Sequence, residues 1–189
     1  MRTEPTAVNA EGLASSKIIS GGQTGADRAA LDFALARGIP HGGWCPQGRL
    51  AEDGPIPPRY QLTETPSPIH GQRTAWNVRD SDGTVVCSVA SELTGGSRRT
   101  VELASRHRKP LLHLFQQDGP PSPEHTLVAF LRELRIQVLN VAGPRASLEP
   151  GVGGFVRDIL CKTWDLFEDV VICAILRADW AGTAPQDRS

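Results

Sequence analysis

Short strand-like runs and helical hydrophobic patterns alternate along the chain from residue 17 onwards. The strand-like runs are KIIS (17–20), GGWC (42–45), TVVCSVA (84–90), LLHLF (111–115) and QVLNVAG (137–143). Apolar residues recur at helical spacing in residues 26–34, 71–83, 95–109, 122–134 and 155–180. This alternation predicts a Rossmann-like, three-layer α/β fold with a doubly wound, mostly parallel sheet.

The same pattern predicts the domain limits. One domain is expected over residues 17–180, with a flexible N-terminal arm at 1–16 and a flexible tail at 181–189. The arm lacks the apolar core of a signal peptide. Residues 46–68 are rich in proline and glycine and predict a long loop. Loops of this length without structure of their own are usually functional or disordered.

Ligands of such sheets bind beyond the carboxyl ends of the strands. The stretches that follow the predicted strands are residues 21–25, 46–54, 91–99 and 142–153. Two of them are glycine turns that lead into a helix, and backbone N–H groups at a helix start suit a phosphate. The candidates in these turns are Gly21, Gly22, Gln23, Thr24 and Gly25, then Gly95, Gly96, Ser97 and Thr100. For the first turn, the alternative is a tight structural turn capped by Thr24.

Arginines accompany these turns and supply forked donors for phosphate or carboxylate. We expect Arg49, Arg98, Arg99 and Arg145 to converge on one small anion site, although each also fits a solvated surface position. On the helix at 71–83, Arg73 and Asn77 are four residues apart and share one face, where they can bond a polar ligand. Glu102 is the acid available for chemistry, or else the i, i+4 partner of Arg98.

Composition and charge narrow the function classes. The formal net charge of the 189 residues is −1, which gives no basic excess for nucleic acid. No apolar run reaches the length of about 20 residues of a membrane span. The four cysteines (Cys45, Cys87, Cys161 and Cys173) lack zinc-site spacing and predict free thiols in the cytoplasm, with no directly bound metal.

Five ordered motifs resemble the molybdenum carrier family, over about residues 17–160. They are GGQTGADRAALDFA (21–34), GGWCPQGRLAEDGPIP (42–57), RTAWNVRDSDGTVV (73–86), TGGSRRTVELA (94–104) and LNVAGPRASLEPG (139–151). That family is similar to the lysine-decarboxylase-like, or SLOG, nucleotide-binding Rossmann superfamily, which also contains the cytokinin-activating phosphoribohydrolases. The resemblance implies a phosphate or nucleotide-like site built from the two glycine turns.

The resemblance also implies a ligand and partners. The expected ligand is molybdenum cofactor, a molybdopterin with a terminal phosphate, or a nucleotide-like phosphate compound. A homo-oligomer, as dimer or tetramer, and molybdoenzymes as recipients are the implied partners. The function favoured is binding without chemistry. The alternatives are a nucleoside monophosphate phosphoribohydrolase that uses Glu102, and a nucleotide-sensing module.

The hydrolase alternative departs from its signature, P-G-G-x-G-T-x-x-E. TGGSRRTVE has Thr94 in place of the proline and an arginine in place of the third glycine, and it brings Thr100 and Glu102 one residue closer. A catalytic glutamate needs exact placement, so this difference favours binding. The wide apolar stripe after residue 160 predicts packing across a partner subunit, with an ordinary last helix as the alternative.

Overall fold

The computed structural model describes residues 17–117 and 119–182, with side chains up to residue 169. The strands are β1 (Lys17–Ile19), β2 (His41–Gly42), β3 (Trp44–Cys45), β4 (Leu50–Ala51), β5 (Gly54–Pro55), β6 (Thr63–Glu64), β7 (Gly83–Ser88), β8 (Leu111–Phe115) and β9 (Val138–Ala142). The helices are α1 (Ala26–Ala36), α2 (His70–Asp80), α3 (Gly95–His107), α4 (Pro123–Glu133) and α5 (Val152–Gly182).

The central sheet has five strands in the order β2-β1-β9-β7-β8, and all neighbours are parallel. Helices α1, α4 and α5 pack together on one face, while α2 and α3 pack against each other on the opposite face. The predicted Rossmann-like, three-layer fold in a single domain is therefore confirmed. Strand β9 enters the sheet between β1 and β7, so its carboxyl end lies between theirs.

The main core lies between the sheet and the α1–α4–α5 layer. Its strand residues include Ile18, Val85, Leu139 and Val141, all fully buried. Every residue of β7 is buried, as expected for a central parallel strand covered on both faces. This packing holds the carboxyl ends of β1, β9 and β7 in fixed positions, which is the part of the fold that matters for a ligand.

The predicted single strand at 42–45 is wrong. The chain pairs with β1 only at His41–Gly42, then leaves the sheet, and Trp44–Cys45 pairs with β6 in a separate two-stranded sheet. Gly43 makes this change of direction, with a φ of 123° and with the Ser20 carbonyl where a Cβ would stand. A side chain at this position would block the bend.

The predicted loop at 46–68 has structure of its own. It contains a 3₁₀ turn at Gln47–Arg49, a hairpin formed by β4 and β5, and strand β6. A second apolar cluster of Leu31, Cys45, Ile56 and Tyr60 fixes this segment against α1. We call residues 46–64 the covering segment, because they lie over the first glycine turn.

Helix α5 begins three residues before the predicted start at residue 155. Trp164 and Phe167 are buried, and they belong to the main core with Phe33 of α1. The predicted partner contact of the later residues stays a prediction, since side chains from 170 onwards lie outside the description. The predicted arm and most of the predicted tail also lie outside the described residues. Among the helices that the structure describes, none has the length and apolarity needed to cross a membrane.

Candidate functional site

The candidate site lies at the sheet edge where β1, β9 and β7 end side by side. The first glycine turn follows β1, the 143–149 loop follows β9, and the chain after β7 leads to the second glycine turn at the start of α3. Neighbouring strands are about 5 Å apart, so the carboxyl ends of β1 and β7 lie about 10 Å apart with the end of β9 between them. The residues of the predicted anion site therefore fall into two groups, one after β1 and one at the start of α3.

The glycines of the first turn are each met by another part of the chain. A Cβ on Gly21 would overlap the Arg73 guanidinium, and one on Gly22 would meet Ile56 and Leu62 of the covering segment. A Cβ on Gly25 would meet the backbone of residues 144–146. The close packing of this turn explains why its glycines are needed without any ligand.

The polar residues of the first turn are also engaged. Gln23 Oε1 accepts hydrogen bonds from Thr24 N and Glu52 N, at 3.0 and 2.9 Å. The Thr24 hydroxyl donates to Glu52 and accepts from Ala146 N. Thr24 therefore does not cap α1 as the structural alternative proposed; it joins the turn to the covering segment and to the β9 loop.

Glu52, at the tip of the β4–β5 hairpin, joins the turn that follows β1 to the loop that follows β9. Its carboxylate accepts hydrogen bonds from the Thr24 hydroxyl, from Ser147 N at 3.2 Å and from the Ser147 hydroxyl at 2.5 Å. Arg145 Nε lies 3.8 Å from the same carboxylate. The Ser147 and Thr24 hydrogen bonds, with a smaller effect of Arg145, lower the pKa of Glu52 below its ordinary value of 4.5.

A buried ion pair lies below the first turn. Arg73 Nη1 donates to Asp27 Oδ2 at 2.9 Å, and the Asp27 side chain is only 3% exposed. Burial raises the pKa of Asp27, and Arg73 opposes that rise. Arg73 Nε is buried without a hydrogen-bond partner among the described residues. This guanidinium therefore has one N–H group beside Gly21 that could donate to a ligand.

Arg73, Arg145 and His70 face the same region. Burial lowers the pKa of His70, and the positive charges of Arg73 and Arg145 lower it further. Of the four arginines predicted to converge (Arg49, Arg98, Arg99 and Arg145), this effect involves Arg145 alone, and Arg73 is not among them. The convergence of Arg145 with Arg98 and Arg99 stays a prediction.

The second glycine turn is open. Gly95 and Gly96 are exposed, and no atom lies within 4 Å of a Cβ built on either of them. Thr94, at the N-cap, makes no side-chain cap hydrogen bond, and the first turn of α3 carries no acidic residue. Gly95 has a φ of 50°, which accounts for one glycine, but no contact in the described chain accounts for Gly96.

Arg98 and Glu102 line an open pocket of about 560 Å³ between α3 and β8, together with His113. Arg98 makes no ion pair within the described residues. Glu102 pairs with Arg99 at 3.1 Å, at spacing i, i+3, so the predicted pairing with Arg98 is wrong. His113 is held by a 2.7 Å contact between its Nε2 and Ser88 Oγ.

Arg49 does not join the site. Its Nε, Nη1 and Nη2 atoms donate to four backbone carbonyls of the covering segment, those of Ile56, Pro57, Tyr60 and Leu62, at 2.9–3.2 Å. These bonds occupy the guanidinium and organise the segment from within. The predicted ligand-binding role of Arg49 is therefore corrected to a structural one.

The predicted ligand-binding roles of Asn77 and Thr100 are also corrected to structural roles. Asn77 is buried, and its side-chain amide bonds both the N–H and the carbonyl of Trp44, which holds β3 against α2. The Thr100 hydroxyl donates to the Gly96 carbonyl inside α3, and the residue is buried. Ser97 is also buried, and its predicted role in ligand binding stays a prediction.

Sequence reasoning missed the carboxylates of this edge. Glu52, Asp27 and Glu149 all accept hydrogen bonds there, and Glu149 binds Val89 N at the end of β7. The residues lie inside the quoted motifs, but their roles depend on contacts across long separations in the chain. Among the described residues, no group of three or more His, Cys, Asp or Glu side chains is arranged to hold a metal ion.

Comparison with known proteins identifies the family. The model of the circularly permutated YpsA SLOG family matches residues 18–164. The crystal structure of a protein named "putative molybdenum carrier protein", from Syntrophus aciditrophicus SB, matches with 48% identity and a TM-score of 0.75. That match covers 79% of this chain and 95% of the other. A comparison with curated proteins gave no match. The resemblance seen in the five motifs is thereby confirmed, and the chain belongs to the circularly permutated YpsA SLOG family.

Proposed function

We propose that this protein binds a small, phosphate-bearing ligand at the carboxyl edge of its sheet and holds it without chemical change. The ligand class to test first is molybdenum cofactor, because the Syntrophus aciditrophicus relative is named a molybdenum carrier. The terminal phosphate is the part for which the described residues offer donors. Nucleotide-like phosphates have the same end group and are the next candidates.

The open amino end of α3 carries this proposal. The first N–H groups of a helix lack partners inside the helix, and the helix dipole places positive potential there. At α3, Gly95 and Gly96 are exposed, no side chain caps the helix, and the adjacent Arg98 makes no ion pair within the described residues. Gly96 leaves room for a ligand to approach the backbone closely.

Helix α1 offers the contrast that makes α3 informative. Asp27 stands in the first turn of α1 and accepts from Gln23 N, and Glu52 lies over the adjoining turn. The amino end of α1 is thus supplied with carboxylates by the protein itself, while that of α3 is not. We infer that α3 receives its anion from a ligand.

Native mass spectrometry of freshly purified protein tests the proposal directly. A co-purifying mass that matches a phosphorylated pterin or nucleotide is expected. Thermal shift measurements with molybdate, molybdopterin, AMP and ADP-ribose then rank the ligands, since a ligand that binds only the folded state raises the melting temperature. No co-purifying mass and no shift with any of the four would contradict the proposal.

A substitution at Gly96 separates binding from folding. Gly96→Asp places a carboxylate in the first turn of α3, where it should stabilise the helix by about 0.3–1 kcal/mol. The same carboxylate should repel the ligand anion and remove the thermal shift. Gly96→Asn, which has the same size and no charge, is the matched control and should retain most of the binding. Equal binding by wild type and Gly96→Asp would show that the ligand lies elsewhere.

The pocket beside α3 favours one second candidate, hydrolysis of a nucleoside monophosphate. Arg98 and Glu102 line this pocket together, which would place a phosphate-binding cation and a carboxylate near one ligand. Release of adenine from AMP, measured by chromatography, tests the idea. Release that disappears in Glu102→Ala would establish the hydrolase and replace the carrier proposal.

A further inference from the structure

The Glu52 carboxylate is surrounded by hydrogen-bond donors of the kinds that bind an oxyanion. Two hydroxyl groups and one backbone N–H donate to it, from Thr24 and Ser147, and the Arg145 guanidinium lies 3.8 Å away. Hydroxyls, backbone amides and arginine are the donors that proteins use to bind phosphate. The donors come from the β1 turn and the β9 loop, while the acceptor comes from a third segment, the β4–β5 hairpin.

The hairpin that carries Glu52 is small and exposed. It pairs only Leu50 with Pro55 and Ala51 with Gly54, and Leu50 is 45% exposed. Besides the Glu52 carboxylate, two contacts hold its tip. The Glu52 N–H donates to Gln23 Oε1 at 2.9 Å, and Asp53 pairs with Arg28 through two hydrogen bonds of 3.2 Å, with the Asp53 side chain 49% exposed. These contacts are few and lie at the surface, where water competes with them. The hairpin can therefore withdraw while the Ile56–Tyr60 cluster keeps the rest of the covering segment in place.

We propose that the position held by the Glu52 carboxylate is a second oxyanion site, which a tetrahedral oxyanion of the ligand takes when the β4–β5 hairpin withdraws. This inference rests on the proposed function and extends it, because the first glycine turn then binds the ligand in the open state only. Glu52 lowers the affinity of this site, since an incoming anion must displace it. The same residue keeps the site closed to weakly binding anions.

Titration with inorganic phosphate and with molybdate tests this inference on the full chain. Glu52→Ala removes the competing carboxylate, so at least one of the two oxyanions should bind at least about tenfold more tightly than to wild type by isothermal titration calorimetry at constant ionic strength. Glu52→Gln keeps the shape and loses the charge, and it should give a smaller gain. The two titrations distinguish a phosphate end group from an oxomolybdenum group as the natural occupant.

Two further variants show which groups cause the gain in oxyanion affinity. Asp53→Ala frees the same hairpin tip from Arg28 but leaves the Glu52 carboxylate in place, so it should give a smaller gain than Glu52→Ala. Arg145→Ala combined with Glu52→Ala should lose the gain, because a donor to the oxyanion is then missing. Far-UV circular dichroism and thermal unfolding check that each variant is folded.

The failure of this inference can be told from the failure of the proposed function. Glu52→Ala and Glu52→Gln proteins that are folded but bind both oxyanions no better than wild type would overturn the second site. In the Gly96→Asp background the α3 end is blocked, and the gain from Glu52→Ala should persist there. A gain abolished by Gly96→Asp would also overturn the inference, because the oxyanion would then lie at α3.

Discussion

At the scale of single residues, the arginines divide by what their guanidinium groups contact. Arg49 is bonded to four carbonyls of the covering segment, and Arg73 is paired with the buried Asp27. Arg145 and Arg98 are exposed, the first near Glu52 and the second beside the open end of α3. The same residue type therefore serves folding in one place and is left exposed for the proposed ligand in another.

The role of Arg49 predicts a loss of stability on substitution. Arg49→Ala should lower the free energy of unfolding by about 2–3 kcal/mol, because it leaves four partly buried carbonyls without a charged donor. Arg49→Lys should lose nearly as much, since one ammonium group cannot reach four carbonyls in a fork. Urea denaturation measures both.

Arg98→Ala is the matched control for Arg49. It removes an exposed guanidinium with no ion pair within the described residues, so stability should change by less than about 0.5 kcal/mol. The rise in melting temperature that a ligand produces should be smaller for Arg98→Ala than for wild type. An Arg49→Ala protein as stable as wild type would refute the structural role.

The two glycine turns show what could be predicted at this scale and what could not. The sequence locates both turns, because glycines follow strand-like runs in each. It does not distinguish Gly21 from Gly96, since the contact that fills the space at Gly21 comes from Arg73, more than fifty positions away in the chain. Local sequence thus predicts where glycine turns are, and tertiary contacts decide which of them is open.

At the scale of elements, long periodic segments were predictable and short ones were not. Strand β8 has the predicted limits, and α2, α3 and α4 lie within a few residues of theirs. The covering segment was missed because its strands have two residues each, too few to show a period of two. Its stability comes from Arg49 and from the Leu31, Cys45, Ile56 and Tyr60 cluster, which no local pattern reveals.

The hairpin contact of Glu52 predicts a dependence of stability on pH. The pKa of Glu52 is lower in the folded state than the ordinary 4.5. Its ionised form therefore stabilises the fold above pH 4.5, and this contribution is lost as the pH falls through the folded-state pKa. Wild type should be more stable than Glu52→Gln at pH ~7, and the difference should shrink at pH ~3.5, as measured by urea denaturation.

Glu102→Gln provides the comparison for this pH experiment. Within the part of the chain that the structure describes, exposed Glu102 pairs only with Arg99, so its removal should change stability little at either pH. A difference between wild type and Glu52→Gln that stays constant from neutral to acid pH would contradict the role given to the Glu52 charge.

At the scale of the whole molecule, we expect a homo-oligomer. The run VVICAIL (170–176) is apolar on every side of the predicted helical pattern, which is more than packing against one sheet requires. Analytical ultracentrifugation at micromolar concentration should therefore give the mass of a dimer or a tetramer of the 20.3 kDa chain. A single species at the mass of one chain would contradict this expectation.

The position of β9 has a consequence for how the site comes into being. Strands β2 and β1 form one pair and β7 and β8 another, and β9 is the strand that joins the two pairs into one sheet. The Ser20 hydroxyl, for example, reaches the Val141 carbonyl across 121 positions of the chain. Because closing such long loops costs chain entropy before the contacts form, we expect β9 to dock late, and the candidate site is complete only after that step. A ligand that binds at this site should therefore slow the release of β9 during unfolding.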